Sequence, residues 1–258
     1  MEAILLAGGQ AKRLGAATAS RPKALVPVAG RPLAEYTVRL LAAAGVDRLI
    51  VSCAAGQGKL FASELAGVGP AIVLAEEPER LGRGGGLRFA MQFRRESGPV
   101  YALNADELLA LDFSALLARH RERGPAATIV VAPLTSPFGI VEVADDDVVA
   151  GFREAPRLPH WVNVGVYVLD EEALARLPER GDHERTTFPE LAADGRLRAF
   201  PYEGVWLTVN TQKDLERAEA HLRSHPDWPF SQEDGAGSSG SGTSGSPASG
   251  ELGRPMPS

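Results

Sequence analysis

Residues 6–15 read Leu-Ala-Gly-Gly-Gln-Ala-Lys-Arg-Leu-Gly, directly after an apolar run. Adjacent glycines at Gly8 and Gly9 let backbone N–H groups approach a ligand closely and form a nest for an anion. Cations lie within reach: Lys12 and Arg13, then Arg21 and Lys23 in Arg-Pro-Lys-Ala-Leu. Arginine grips phosphate oxygens through a planar fork of N–H groups, and lysine acts as a mobile point charge. A lone Lys or Arg is ordinarily a solvated surface charge. Two glycines with Arg13 and Lys23 in one strand-to-helix connection point instead to an anionic ligand. Two familiar phosphate motifs fail here. A P-loop ends in Gly-Lys-Ser/Thr, whereas Gly15 is followed by Ala16 and Ala17. Neither this loop nor Gly82-Arg83-Gly84-Gly85-Gly86-Leu87 fits the dinucleotide fingerprint G-x-G-x-x-G.

Asp106 is the next candidate. It follows the apolar run 100–103, which places it at the carboxyl edge of a sheet, where open α/β folds bind ligands. By itself it reads as an ordinary loop carboxylate or a helix cap. The five histidines (His120, His160, His183, His221, His225) show no ligand spacing and are expected to be solvated or internally satisfied. Cys53, the only cysteine, sits in the apolar run 49–53, so no intrachain disulfide forms and the thiol is expected to be buried and inert. Trp161 and Trp206 beside strands are expected to be core or pocket wall.

The elements that must position these residues follow from periodicity. Strands are predicted at 3–7, 49–53, 71–75, 100–103 and 127–132, alternating with helices at 33–44, 58–66, 86–96 and 113–123. Asp112 caps the last of these, and Gly45 stops the first. Apolar strands separated by helical patterns mean a mostly parallel sheet covered by helices on both faces. The second half changes character. Segments 139–143 and 148–152 flank Asp145-Asp146-Asp147 and predict an antiparallel hairpin, followed by strands at 162–169, 197–202 and 205–209. Thr211-Gln-Lys-Asp214 has the spacing of a capping box before a final amphipathic helix bearing Leu215, Ala218 and Leu222. The fold class is therefore α/β: a Rossmann-like, mostly parallel sheet flanked by helices, with a small antiparallel lobe in the second half. That pattern alone specifies no chemistry.

Composition narrows the partners. The 258 residues are 44% hydrophobic and 23% charged, ample for a real core. The net charge of −6, with no long basic block, argues against a nucleic-acid surface. No apolar stretch approaches the ~20 residues that span a bilayer. The N-terminus lacks a charged leader and a cleavage site, so a cytoplasmic protein without a membrane partner is expected. Residues 231–258 are mostly Gly, Ser and Pro and are expected to be a disordered tail; residues 1–230 form the α/β domain. The tail's Glu233, Asp234, Glu251 and Arg254 account for −2 of the charge, leaving −4 for the body.

An ordered series of segments resembles one family. Ala7-Gly8-Gly9-x-x-x-Arg13-Leu14 is followed by Pro22-Lys23-Ala24-Leu25-Val26-Pro27-Val28-Ala29-Gly30-Arg31-Pro32-Leu33. Then come Leu81-Gly82-x-Gly84-Gly85-Gly86-Leu87, Leu103-Asn104-Ala105-Asp106, Phe138-Gly139-Ile140-Val141-Glu142 and Phe152-Arg153-Glu154-x-Pro156. Asn163-x-Gly165-x-Tyr167-Val168, Phe188-Pro189-Glu190-Leu191 and Trp206 close it. No one segment is decisive. Together, over residues 1–222 and in order, they resemble the nucleotidyltransferases of the sugar-phosphate (NDP-sugar pyrophosphorylase) type.

The resemblance implies a reaction in which a sugar 1-phosphate attacks the α-phosphorus of a nucleoside triphosphate and pyrophosphate leaves. With a second phosphate pKa of about 6, the nucleophile is mostly a dianion near pH 7 and needs no general base. The site's work is then positive charge and alignment of two polyanions. By resemblance, Ala7, Gly8, Gly9 and Gln10 hold the nucleotide, and Gly82, Gly84 and Gly85 approach base and ribose. Arg13 stabilises departing pyrophosphate, Lys23 neutralises the reacting phosphates, and Asp106 binds Mg²⁺. Glu154, Asn163 and Gly165 match positions that contact the sugar.

Four positions depart from the family pattern. Ala11-Lys12 replaces Gly-Thr before Arg13, Arg83 replaces a Thr, and Ala155 replaces a phosphate-contacting Lys. Thr208 stands where a second metal carboxylate belongs, in Trp206-Leu207-Thr208-Val209-Asn210-Thr211. Mg²⁺ can be held by one carboxylate plus phosphates and waters, and Lys12 and Arg83 could supply some of the missing positive charge. Three readings stay open: an active sugar-phosphate nucleotidyltransferase, a catalytically impaired nucleotide or sugar-nucleotide binder of the same fold, and nucleotidyl transfer to a non-sugar phosphate such as a molybdenum-cofactor precursor.

Overall fold

The computed structural model describes residues 1–11, 13–14 and 21–230. Lys12, Gly15 and the predicted tail at 231–258 lie outside the described residues. In chain order the elements are β1 (Glu2–Leu6), β2 (Pro27–Val28), β3 (Arg31–Pro32), α1 (Leu33–Ala43), β4 (Arg48–Ala54), α2 (Gly58–Glu64) and β5 (Ala71–Glu77). There follow α3 (Gly82–Met91), β6 (Val100–Asn104), β7 (Glu107–Leu109), α4 (Phe113–Arg123), β8 (Ala127–Thr135), β9 (Ile140–Val143) and β10 (Val149–Arg153). The chain continues through β11 (Arg157–Leu169), α5 (Glu171–Ala175), α6 (Thr187–Ala193), β12 (Leu197–Pro201), β13 (Trp206–Thr208) and α7 (Gln212–Ser224).

Seven strands form one sheet in the order β12-β8-β11-β6-β1-β4-β5. Its left half, β6-β1-β4-β5, is wholly parallel, and β11 alone runs against its neighbours β6 and β8. Alternation along each strand sends side chains to two separate cores. Ala3, Leu5, Leu49 and Val51 pack with Val38, Leu41, Phe61 and Phe113 of α1, α2 and α4. Ile4, Ile50 and Ala102 pack with Leu87, Leu174 and Leu191 of α3, α5 and α6 on the other face. The predicted sheet, with helices on both sides, is therefore the observed one. Cys53 is fully buried, and burial pushes its thiol up to about 12, so it is an inert core residue.

Caps and turns follow the sequence closely. The Asp112 carboxylate accepts from Ala115 N at 2.8 Å at the start of α4. At α7, Thr211 Oγ1 accepts from Asp214 N at 3.3 Å while Asp214 Oδ2 accepts from Thr211 N at 2.8 Å, the reciprocal pair of a capping box. The antiparallel hairpin is β9–β10, its tip a short 3-10 turn through three aspartates. Several short pieces were not anticipated: β2 and β3, α5 and α6, and β7 with its antiparallel pairing to β13.

The histidine expectation needs one correction. His120 is buried and bonded to Thr128 Oγ1 at 2.9 Å, but His183 is fully buried with neither ring nitrogen partnered among the described residues. It is wedged edge-on against Tyr167 and Phe188, at ring separations of 5.3 and 4.8 Å. Burial lowers its pKa from 6.5 to about 4, so it folds neutral. Between those values the unfolded chain binds the extra proton, and stability must fall with pH across that window. We expect His183 alone to remove up to roughly 3 kcal/mol of stability as pH drops from 6.5 through 4. Urea denaturation at a series of pH values checks this: His183→Asn should flatten the acid limb by that amount.

Candidate active site

The parallel pairing of β1 with β6, register Leu6↔Asn104, puts the ends of two distant segments side by side. Ala105 N donates to Leu6 O at 3.1 Å, continuing the ladder one residue past the strands. The glycine loop leaving β1 and the Asn104-Ala105-Asp106 turn leaving β6 therefore form one edge. A cavity of about 560 Å³ opens there. Ala7, Gly8, Gly9, Gln10, Arg13, Lys23, Gly82 and Asp106 line it, so most of the sequence-predicted nucleotide and catalytic residues meet at one site.

Lys23 is fixed by its own backbone, whose N–H donates to Gly9 O at 3.0 Å. Its side chain, 12% exposed, reaches across to Asp106 Oδ2 at 2.6 Å and Asn210 Oδ1 at 2.5 Å. Asn210 is presented by the α7 cap, because Asp214 Oδ2 accepts its backbone N–H at 3.1 Å. One ammonium thus ties together three segments far apart in the sequence. Apolar support comes from a third cluster in which Ala11, Leu14, Val26 and Leu33 pack on Leu108, Leu207 and Leu222.

Glu77, Arg80, Asn104 and Asn210 also line the cavity and were not singled out from sequence. Glu77 and Asn104 end β5 and β6, so the rule that ligands sit beyond carboxyl ends of strands could have found them. Glu77 Oε1 accepts from Ser52 Oγ at 2.7 Å and Oε2 from Leu81 N at 3.2 Å, which fixes the carboxylate between β4 and α3. Asn210 carried no sequence signal, since its role depends on a cap that folds back from residue 214.

The glycine segment 82–86 is arranged differently from expectation. Helix α3 begins at Gly82, four residues early, so these glycines are its first turn. Gly84 and Gly85 do not line the cavity. They are buried against the loop around Gly181, and a Cβ on Gly84 would lie 2.7 Å from His183 N. Their backbone N–H groups both donate to Gly181 O, at 2.9 and 3.3 Å. The helix start is capped from within, and these glycines serve helix-to-loop packing.

Arg83 lines the cavity, but its charge is matched. One guanidinium nitrogen bonds Asp182 Oδ2 at 2.5 Å and Glu184 Oε2 at 2.6 Å. It adds no net positive charge to the site, against the compensation expected of it; Lys12, its expected partner in that role, lies outside the described residues. Glu184 Oε1 in turn accepts from Asn163 Nδ2 at 2.8 Å and Tyr167 OH at 3.0 Å. Asn163 also donates to Tyr167 and accepts from Gly165 N, so both ends of its amide have internal partners. Gly165 adopts φ +76°, and a Cβ there would collide with Asn104. Neither Asn163 nor Gly165 is among the cavity-lining residues, and Glu154 is exposed beside the β9–β10 hairpin.

Does this donor set fit a divalent metal? Among the described residues no three His, Cys, Asp or Glu side chains are grouped to hold one. Asp106 offers the oxygen not engaged by Lys23. That fits an ion such as Mg²⁺, which keeps waters and phosphate oxygens as most of its ligands, and does not fit an all-protein cage. Thr208 lies in register with Glu107 on the β7–β13 ribbon. Glu107 is buried, accepts from Trp206 Nε1 at 2.7 Å, and is held well above the usual carboxylate range by burial and by neighbouring Asp106. A carboxylate at 208 would face it directly, and once Glu107 ionises, above its raised pKa of about 8, like charges opposite each other destabilise a ribbon. Thr208→Asp should therefore cost about 1 kcal/mol or more in urea denaturation at pH 9, and less at pH 6. Most of that loss should vanish when Glu107→Gln is added, which a double-mutant cycle reads directly.

Comparisons with known proteins find relatives both by sequence and by fold. A family model described as nucleotidyl transferase matches residues 2–225. The chain is 30% identical to mannose-1-phosphate guanylyltransferase of Mycobacterium tuberculosis, with 86% of this chain and 64% of that one covered. It is also 30% identical to the catalytic subunit beta of mannose-1-phosphate guanylyltransferase from Xenopus tropicalis, over 88% of this chain and 68% of that one. The chain thus spans about two thirds of the length of these relatives, and 63% of a relative from Sulfolobus acidocaldarius. Among solved structures, HddC from Yersinia pseudotuberculosis superposes with a TM-score of 0.68 at 20% identity, over 86% of this chain and 99% of that one.

Proposed function

The chain belongs to the nucleotidyl transferase family, and from that premise we propose that it joins the nucleoside monophosphate of a triphosphate to a sugar 1-phosphate. A phosphate oxygen of the sugar 1-phosphate attacks the α-phosphorus, the bond from that phosphorus to the bridging oxygen breaks, and pyrophosphate departs. The observation that carries the reading is the convergence of the Gly8–Gly9 backbone, Arg13, Lys23 and Asp106 on one 560 Å³ cavity. A site of this kind suits a reaction that needs alignment and charge more than proton transfer.

Position supports the following roles. Gly8 and Gly9 line the cavity without side chains, so their N–H groups would donate to the nucleotide's phosphates. Arg13, exposed at the rim, takes the leaving pyrophosphate. Lys23 stands on Asp106 and Asn210 and faces the same space; an incoming polyanion competes for its ammonium. Gly82, at the cavity wall, lies toward the base, and Gln10 on the loop is placed to read it. Mg²⁺ held by the free oxygen of Asp106 and by substrate phosphates would offset charge on the transferring group. Asn163 and Gly165, expected to touch the sugar, bear on the cavity only indirectly, Asn163 through Glu184, which pairs with Arg83, and Gly165 through its fit against Asn104; Glu154 lies off the cavity lining.

The relatives named for mannose 1-phosphate and guanylyl transfer make GTP with mannose 1-phosphate the first pair to test. The full panel crosses the common triphosphates with several sugar 1-phosphates and a non-sugar phosphate acceptor, in Mg²⁺, reading pyrophosphate release. Lys23→Ala should lower kcat/KM at least about 100-fold, and Asp106→Ala should do likewise. Release from no pair, with nucleotide binding retained, would leave the impaired-binder reading, which the single available metal carboxylate favours. Metal binding gives an independent check. In calorimetry Mg²⁺ alone should bind the free protein with Kd on the order of millimolar or weaker. Affinity should rise only when triphosphate is present, and Asp106→Asn should abolish the rise.

A further inference from the structure

Arg83 is the second residue of α3 and lines the cavity with a side chain 45% exposed. Its Nη2 alone meets two carboxylates, Asp182 at 2.5 Å and Glu184 at 2.6 Å. A guanidinium carries five N–H bonds. Nε and Nη1, which hold three of them, have no hydrogen-bond or ion-pair partner among the described residues. The two acids are themselves fixed. Glu184 Oε1 accepts from Asn163 and from the buried Tyr167 hydroxyl, and Asp182 Oδ1 accepts from Glu184 N at 3.3 Å. The arginine is thus oriented by its acidic partners, and little side-chain freedom remains to be lost when a ligand takes the other donors. Among the described residues no hydrogen bond or ion pair joins this cluster to Lys23, Asp106 and Asn210.

We propose that Arg83 is a specificity residue that donates to sugar hydroxyls of the substrates, on the ribose or on the acceptor sugar. The inference rests on the reaction proposed above only in taking this cavity as the substrate site. Charge selects the hydroxyl. One guanidinium against two carboxylates leaves the cluster at −1. A phosphate dianion approaching Arg83 is therefore drawn by one charge and repelled by two close beside it. An uncharged hydroxyl escapes that repulsion. It accepts from the unpartnered N–H groups and has a proton of its own to donate to a carboxylate oxygen, which a phosphate dianion lacks. Phosphate is left to Lys23, which faces a single carboxylate, and to the glycine loop.

Calorimetry without turnover tests this in two arms. In one, each ribonucleoside triphosphate is compared with its 2′-deoxy and 3′-deoxy forms, in Mg²⁺ and without acceptor. In the other, mannose 1-phosphate and glucose 1-phosphate are compared with their singly deoxygenated forms, beside an α,β-methylene triphosphate that cannot transfer. Wild-type protein should bind the full ligand at least about tenfold more tightly than one deoxy form, and the arm that shows it identifies the sugar. Arg83→Ala should bring that ratio to about one. Arg83→Lys should do the same with the thermal transition in place, because an ammonium still pairs with Asp182 and Glu184 but lacks Nε and Nη1. Were Arg83 only an anchor for the loop at 178–184, the ratio would survive in Arg83→Lys. That outcome, or a wild-type protein with no such preference in either arm, overturns this proposal alone. A wild-type protein that binds no triphosphate and no sugar 1-phosphate overturns the proposed reaction together with it.

Discussion

Everything at the site depends on one backbone pairing. Strands β1 and β6 run parallel and adjacent, at the ~4.8 Å spacing of any sheet, although about a hundred residues of chain separate them. Because they end level, the turn after one must lie beside the turn after the other. The glycine loop and Asp106 are neighbours for that reason, and Lys23 needs only its own length to join them. The two cores hold the strands from opposite faces, so the register cannot slip by one residue without turning Ile4 and Leu5 to the wrong sides.

Upon that frame the charges are arranged with restraint. Lys23 and Asp106 form a pair that is partly exposed, at 12% and 29%. Such a pair contributes little net stability, since the Coulombic gain is offset by desolvation. Its effect is positional: the ammonium is kept at the cavity wall in a single place, with a neutral amide from Asn210 as the second acceptor. A second carboxylate there would bind the lysine more tightly and make it less available to phosphate. The buried Glu107 and the engaged Arg83 show the same economy, each matched before it reaches the cavity.

Much of this was legible in the sequence because the signals were local. The apolar run before Gly8, the Asp112 cap, the Thr211–Asp214 capping box and the aspartate-tipped hairpin each declare themselves within about five residues. What escaped notice was non-local or contrary to propensity. Glycine is a poor helix former, so a pattern-based start for α3 falls at Gly86; in the folded chain the loop at 178–183 requires residues without side chains and the helix begins at Gly82. Of the β7–β13 ribbon the strand at 205–209 was read, but β7 has three residues, too short for any periodicity, and lies a hundred residues from its partner. His183 was expected to be solvated or satisfied and Asn163 to contact the sugar, yet one is sealed by Tyr167 and Phe188 and the other is saturated by Glu184, Tyr167 and Gly165.

The threefold anchoring of Lys23 has a consequence for the order in which the molecule is made. Of the three, its loop leaves the ribosome first, Asp106 follows much later, and Asn210 comes last. At ~5–20 residues per second, on the order of ten seconds or more pass between the lysine and its last acceptor. A nascent chain can complete the pairing of β1 with β4 and β6 and still lack the cap that supplies Asn210. The Lys23 side of the cavity wall is thus begun well before it is finished, so that a ribosome-bound fragment carries the loop without its finished grip.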